Sequence, residues 1–393
     1  MLKKYLLKDN CLLLILLLSF IISSYMMNYW LMLPSVFLLI INNKIHFFNK
    51  TGRIDSDLFL LILVFLSYSV FALMNKNVNL TMIVTRSIPA VILFAVGYSI
   101  AKKNNGNATY LYFILLLSAF FTSIVNIYNG LIDTIQNGFI VPERMFGTDR
   151  EEFAQTTSLI CSELIPTIVC IGLLFDKPNL IDDKRLRWFG IILGILGELC
   201  AIHYVSRAGM LIMALSIIIG LAYRSKLNFR TIFFILATIF AYLLFLQSDA
   251  YAVFQLKNET GGDLATGNGR DVRMLYWIEE ISKNPMGVAN WQNEPHLYKW
   301  AHNFWLDFTK ECGLIPGIAL VLFSLRNLYY IAHIVLKHNI NKSVTQLILL
   351  LGIGYFLTLF TEPTMQGAPL LMFSYLFFCG IVKSIYKYEK RTI

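Results

Sequence analysis

Apolar residues are grouped along this chain in long runs, and polar segments separate one run from the next. Most of the runs approach the roughly 17–25 residues that an α-helix needs to cross a bilayer, and we count about twelve of them. They lie near 11–27, 29–41, 58–74, 81–101, 110–128, 156–175, 187–204, 208–223, 230–247, 303–325, 344–360 and 367–385. This pattern predicts an all-α, polytopic integral membrane protein of about twelve transmembrane helices.

One long polar segment, residues 248–302, interrupts the runs between the ninth and the tenth. Its first half contains Gly261-Gly262 and Gly267-Asn268-Gly269, which predict a flexible approach. We therefore divide the chain into helices 1–9 over 1–247, a large loop over 248–302, and helices 10–12 over 303–393. The loop is the part of the chain that can hold water, substrate and chemistry.

The second half of the loop has the periodicity of a helix, from Asp271 to about Lys283. An apolar face is predicted from four residues at helical spacing: Val272, Leu275, Ile278 and Ile281. Another face is shared by Arg270, Arg273 and Trp277, which are spaced i, i+3 and i+7. Pro285 ends the predicted helix. The loop is therefore predicted to be partly helical.

The placement of lysine and arginine orients the predicted helices. Most of the 33 Lys and Arg residues lie in alternate segments between the runs, beginning with Lys3, Lys4 and Lys8. Because cytoplasmic segments carry the excess of positive charge, both termini are predicted to be cytoplasmic and the 248–302 loop extracytoplasmic. Hydrophobic residues make up 57% of the chain and charged residues 15%. The net charge of +9 is then mainly a topology signal, and it does not indicate a nucleic-acid partner.

Ionisable residues inside the predicted spans, or at the turns directly beside them, gather at the extracytoplasmic ends. Such residues are costly in a bilayer and are functional candidates by default. The set comprises Arg86, Glu163, Glu198, His203, Arg207, His302, Asp307, Glu311 and Glu362. For any one of them, an ordinary interfacial or ion-paired residue at the end of a span is the alternative. As a set, they indicate an active site that opens to the extracytoplasmic face.

The loop supplies cationic and proton-accepting groups to this predicted site. Arg270 and Arg273, one turn apart at a helix amino terminus, are suited to hold a diphosphate through bidentate donors. The alternative is that these arginines pair with nearby carboxylates, which are Asp271, Glu279 and Glu280. His302, beside Asn303 at the water–lipid boundary, can accept a proton near neutral pH.

Several short motifs follow one another in the loop and in the run after it: Gly269-Arg270, Trp277, Asn284-Pro285, Gly287, His302-Asn303-x-x-Leu306 and Glu311-x-Gly313. Two further stretches precede the loop, Arg144-Met145-Phe146-Gly147 and Ser206-Arg207-Ala208-Gly209. In their order and their predicted topology these motifs resemble those of the O-antigen ligase and O-antigen or capsule polymerase superfamily of polytopic membrane glycosyltransferases. The resemblance covers roughly residues 140–320.

The resemblance implies transfer of a glycan from undecaprenyl diphosphate to an acceptor hydroxyl, outside the bacterial cytoplasmic membrane. The stretch His302-Asn303-Phe304-Trp305-Leu306-Asp307 is more similar to the polymerases than to the ligases, so we expect an O-antigen or capsular polysaccharide polymerase. Such an enzyme transfers glycan from undecaprenyl diphosphate to a sugar hydroxyl of a lipid-linked repeat unit, outside that membrane. His302, Arg270 and Arg207 are then the expected catalytic residues. The expected substrate-binding residues are Arg86, Arg273, Asn303, Trp277 and Glu311. The expected partners are the lipid-linked oligosaccharide, the lipid bilayer and a chain-length regulator protein.

No cofactor or metal is expected in this scheme, because a lipid diphosphate is already a good leaving group and cationic side chains can offset its developing charge. The one Asp-x-Asp motif, Asp55-Ser56-Asp57, lies in a predicted cytoplasmic segment. That is the wrong side of the membrane for a metal-dependent transferase working on the outer face.

Two other functions remain open at the level of the sequence. Within the same superfamily, a ligase would transfer the finished glycan to lipid A-core. In a different class, a transporter or a lipid-linked oligosaccharide flippase of twelve spans is the alternative. Transporters built from two halves usually show internal repeats, and this chain shows none, with its long loop after the ninth run. These observations favour the enzyme.

Overall fold

The computed structural model of the protein describes residues 54–103, 107–138, 183–203, 270–295, 298–337, 342–361 and 369–392, and a few single positions elsewhere. In this part of the chain the structure is almost entirely helical. The helices are α1 (Ser56–Met74), α2 (Leu80–Lys103), α3 (Ala108–Asn137), α4 (Lys184–His203), α5 (Arg270–Lys283), α6 (Phe304–Cys312), α7 (Leu314–Lys337), α8 (Lys342–Thr361) and α9 (Pro369–Thr392). A short 3-10 turn, Trp291–Asn293, lies between α5 and α6.

Among the residues that the structure describes, four segments are long and apolar enough to cross a membrane, by length and composition: Ser56–Met74, Leu80–Lys102, Leu314–Lys337 and Val344–Thr361. They belong to α1, α2, α7 and α8. The predicted runs near 110–128, 187–204 and 367–385 are also helices, α3, α4 and α9. Five predicted runs lie wholly or almost wholly outside the described residues: 11–27, 29–41, 156–175, 208–223 and 230–247. The total of twelve spans and their orientation therefore stay predictions.

The prediction that one continuous helix occupies residues 303–325 is wrong. Two helices occupy it, the short α6 and the long α7, and the second continues to Lys337. Gly313 separates them with a φ of +87°, a backbone conformation that glycine adopts without strain. The break is also packed tightly, because a Cβ at Gly313 would lie only 2.6 Å from the carbonyl oxygen of Pro285. The two sides of the break differ in character, since α6 carries Asp307, Lys310 and Glu311 whereas α7 begins with an apolar stretch.

Helices α2 and α9 pack backbone against backbone through two glycines. A Cβ added at Gly97 would overlap the carbonyl oxygen of Phe377, and one added at Gly380 would overlap that of Phe94. Small residues at these positions let two helices approach closely, which is how helices commonly associate in membranes.

Replacing Gly380 with alanine is therefore expected to force α2 and α9 apart and to lower the free energy of unfolding by about 1–3 kcal/mol. The matched control is Gly352→Ala, since its added methyl would meet only the Cδ1 end of the Ile331 side chain, at 2.9 Å. Thermal unfolding of the two purified variants in detergent tests this. Equal midpoints for both would contradict the close packing of α2 on α9.

Opposite charges tie three helices together at one end of α1. Asp57, completely buried, lies 2.5 Å from Lys383 of α9 and 2.6 Å from Arg326 of α7, although neither ion pair has the angles of a hydrogen bond. Beside it, Lys387 of α9 pairs with Asp55, which caps α1. Both carboxylates of the Asp-x-Asp motif are thus engaged by cations of the same chain. The chain from 270 to 313 contacts the other end of α1, about 28 Å away for a helix of this length.

Candidate active site

The loop helix is present as predicted, but the predicted apolar face is not its buried face. Helix α5 runs from Arg270 to Lys283, and its buried residues are Trp277 and Ile281. Three of the four residues of that apolar face are half exposed or more: Val272 (52%), Leu275 (65%) and Ile278 (52%). The face shared by Arg270, Arg273 and Trp277 points toward the rest of the site, since Trp277 is completely buried in it.

The turn between α1 and α2 binds the segment that follows α5. Two asparagine side chains donate hydrogen bonds to backbone carbonyls there, Asn75 to Met286 and Asn77 to Val288, both at 2.8 Å. The side chain of Gln292 donates in return to the carbonyl of Asn77, at 2.6 Å. These bonds satisfy backbone carbonyls of the irregular segment between α5 and α6, and they fix the position of that segment relative to α1 and α2.

A completely buried lysine lies at the centre of the site. Lys310 of α6 pairs with Asp307 at 2.5 Å, and both side chains have no exposed surface. The ammonium also donates to the carbonyl of Lys299, at 2.7 Å. It lies 4.2 Å from the ring centre of Trp291 and 4.7 Å from that of Trp277. Two indole faces and two oxygens therefore surround the charge, which is the environment a buried cation requires.

His302 lies on the turn that leads into α6, with a φ of +52°. This left-handed conformation is uncommon for a residue other than glycine and carries strain. The side chain is half-buried, and its Nδ1 has no hydrogen-bond partner among the described residues. Burial, together with the positive charges of Arg270, Arg273 and Lys310, lowers the pKa of His302 to about 3. The imidazole is therefore neutral at pH 7, although it is a weak base in this state.

The two arginines of α5 lie close enough to act on each other and on His302. Burial and the charge of Arg270 both lower the pKa of Arg273. The Nε of Arg273 is buried and, within the described part of the chain, has no hydrogen-bond partner. Two of the carboxylates proposed as alternative partners, Glu279 and Glu280, bind Lys283 instead, at 2.8 Å and 3.0 Å. The structure thus brings positive charges together beside a neutral histidine.

Arg86 and Glu311, both predicted to bind substrate, bind each other in the structure. The Arg86 guanidinium lies 3.3 Å from the Glu311 carboxylate, which is completely buried. Tyr68 of α1 donates to the same carboxylate, at 2.7 Å. This ion pair joins α2 to α6. A direct contact of either residue with substrate stays a prediction.

The other predicted residues have clear positions as well. The Asn303 side chain caps α6 by accepting from the amide of Leu306, at 3.1 Å. Trp277 forms one wall of the Lys310 site, and its indole N–H donates to the carbonyl of Tyr298, at 2.7 Å. Arg207 lies outside the described residues, so its place in the site stays a prediction.

Asp307 was predicted only as a charged residue at the end of a span, and its partner Lys310 was not predicted. The spacing Asp307-x-x-Lys310 on a helix was the available signal, because residues three apart share a helix face. The role of Trp291 had no local signal, since it approaches Lys310 only through the fold.

These features define a class: a helical protein with candidate membrane spans and a cluster of arginines around a neutral histidine at one end of them. In comparisons with known proteins, the sequence matches no family model and shows no significant match to a curated protein. The residues of the site and the short motifs around them are therefore the indications of function.

Proposed function

We propose that the protein is an O-antigen or capsular polysaccharide polymerase, a metal-independent glycosyltransferase that uses a polyprenyl-diphosphate-linked glycan as donor. It works at the outer face of the bacterial cytoplasmic membrane, with both termini in the cytoplasm. The observation that carries this proposal is the cluster of Arg270, Arg273 and His302. Two guanidinium groups beside a neutral imidazole suit the binding of a diphosphate anion next to a proton acceptor.

The buried Nε of Arg273 is the most specific support for an anion at this position. A buried polar group without a partner costs about 1–3 kcal/mol, and this donor has none among the described residues. Burial and the charge of Arg270 both lower the pKa of the side chain that carries it. A diphosphate would satisfy the donor and offset both positive charges.

The reaction follows from these positions. The oxygen of the acceptor hydroxyl attacks the anomeric carbon of the donor, and the bond from that carbon to the diphosphate oxygen breaks. The hydroxyl proton passes to the imidazole of His302, and the electron pair of the broken bond stays on the polyprenyl diphosphate. Arg270 and Arg273 offset the charge that develops there.

Donor binding also prepares the base. The positive charges of Arg270 and Arg273 contribute to the low pKa of His302. The negative charge of a diphosphate opposes their effect, so it raises the pKa of His302 from about 3 toward its ordinary value. The imidazole thereby becomes a stronger proton acceptor when the donor is in place.

Replacing Arg273 with glutamine is expected to raise the KM for the lipid-linked donor by about 10–100-fold, since a charge-assisted hydrogen bond contributes about 1.5–3 kcal/mol. The measurement is turnover of a purified undecaprenyl-diphosphate-linked repeat unit by the purified protein in detergent. The control is Lys283→Gln on the same helix, where the side chain is 56% exposed, and it should retain the normal KM. An unchanged KM in Arg273→Gln would contradict the diphosphate site.

The products of the same assay separate the three candidate functions. Growth of diphosphate-linked chains supports the polymerase, and transfer to added lipid A-core supports the ligase. Detergent solution has no compartments across which a transporter or flippase could act. Absence of any glycan transfer with either acceptor would therefore reopen the transporter.

A further inference from the structure

A single carboxylate holds the strained turn of His302 from both sides. The amide of Ala301 donates to Oδ1 of Asp307 at 3.0 Å, and the amide of Asn303 donates to Oδ2 at 3.4 Å. Ala301 and Asn303 are the two neighbours of His302 in the chain. The position of the imidazole therefore depends on where the Asp307 carboxylate lies.

The carboxylate is in turn held by Lys310, and Lys310 by its surroundings. The ammonium bonds Oδ1 of Asp307 and the carbonyl of Lys299, and it is enclosed by the faces of Trp277 and Trp291. Trp277 belongs to α5, the helix that carries both arginines. The ion pair thus connects the helix that bears the proposed anion site to the turn that bears the proposed base.

Stability alone does not account for such a pair. Moving two charges out of water costs as much as their attraction returns, and apolar residues of the same size often replace buried ion pairs without loss. A carboxylate that accepts from the amides on both sides of a residue does, however, fix the backbone conformation of that residue. Supporting hydrogen bonds of this kind decide whether a reacting group is held in its productive position.

We propose that Asp307 and Lys310 are positioning residues, which hold the His302 imidazole in place to receive the proton of the acceptor hydroxyl. This inference rests on the proposed function, because it assigns the pair to the base of that same reaction. Neither side chain is exposed to substrate, so both act through the backbone of the His302 turn.

The test is the paired variant Asp307→Asn/Lys310→Met in the purified, full-length protein. It removes both charges together and so leaves neither one buried alone. An asparagine side chain has one oxygen in place of two, so it can accept a hydrogen bond from only one of the two amides. The turn is therefore held less firmly. We expect kcat to fall about tenfold or more, with the KM for the lipid-linked donor within about twofold of normal.

A second readout is the pH profile of kcat/KM. Burial, the two arginines and the charge of Lys310 lower the pKa of His302, so Lys310→Gln should move the acid limb of the profile to higher pH. The pair variant also loses the opposite charge of Asp307, so its acid limb should move less. Lys310→Gln retains both Asp307 oxygens, and its kcat should fall less than that of the pair variant. The control is Glu279→Gln/Lys283→Gln, which removes an exposed ion pair from α5 and should change neither kcat nor KM.

Normal kcat in a folded pair variant would overturn the positioning role, as would a rise in donor KM without a fall in kcat. Failure of both Lys310 variants to accumulate in the membrane would also overturn it, by assigning the pair to folding. Comparison with His302→Asn separates this inference from the proposed function. If His302→Asn is inactive while the pair variant is normal, only the positioning role falls, but full activity of His302→Asn removes the proposed base itself.

Discussion

Replacing His302 with asparagine is expected to lower kcat by about 10²–10⁴-fold, the usual contribution of a general base, and to leave the protein as stable as before. Asparagine is among the residues that best tolerate a positive φ, so it fits the turn at +52°. It also removes an imidazole whose buried Nδ1 has no partner among the described residues. The thermal midpoint in detergent should therefore be unchanged or higher, while glycan transfer is lost.

The pH dependence of the normal enzyme gives an independent check on His302. Its charged neighbours are Arg270 and Arg273 on α5 and Lys310 and Asp307 on α6. Because the pKa of His302 is about 3 before the donor binds, kcat/KM should not fall through protonation of His302 between pH 7 and 5. Saturating donor adds negative charge, so the acid limb of kcat should lie at higher pH than that of kcat/KM.

Loss of activity together with loss of protein from the membrane would leave His302 a structural residue and contradict its role as the base. An acid limb of kcat/KM near pH 6.5 would contradict the buried, cationic environment described for the imidazole. In His302→Asn, any acid limb due to this group should disappear.

Replacing Asp57 with alanine is expected to lower the free energy of unfolding by about 3–5 kcal/mol, the usual cost of breaking a buried ion pair from one side. Lys383, which is 5% exposed, would then be buried without its counter-charge. Arg326 is 43% exposed, so water can compensate for much of its loss. Thermal unfolding of the purified variant in detergent measures the effect.

Two further variants test the reason for this loss. Asp57→Asn/Lys383→Met removes both buried charges and should recover most of the stability. Glu279→Gln breaks only an exposed pair with Lys283 and should cost less than about 1 kcal/mol. If the double variant is as unstable as Asp57→Ala, the loss comes from packing and the ion-pair explanation is wrong.

The sequence predicted that the loop contains a helix, but it did not predict which face of that helix is buried. The helical period, ended by Pro285, predicts a helix from Asp271 to about Lys283, and the structure has it from Arg270 to Lys283. The orientation of the helix could not be predicted, because an apolar period identifies a stripe of residues and not what covers it. In a protein with membrane spans this limit is general, since lipid is as apolar as a protein core. Trp277 and Ile281 are buried, whereas Val272, Leu275 and Ile278 are not.

The candidate site divides in the same way. The sequence by itself determined that the described residues are helical and that several helices are long enough to span a membrane. It also supplied the candidate residues Arg270, Arg273 and His302. These predictions depend on local pattern and composition. Only the tertiary structure decided that Glu311 binds Arg86, that Lys310 lies between Trp277 and Trp291, and that Asp307 holds the His302 turn. Each of these contacts depends on how separate helices pack. The sequence does not show which partner lies beside a buried or charged side chain, and that partner determines its pKa and its role.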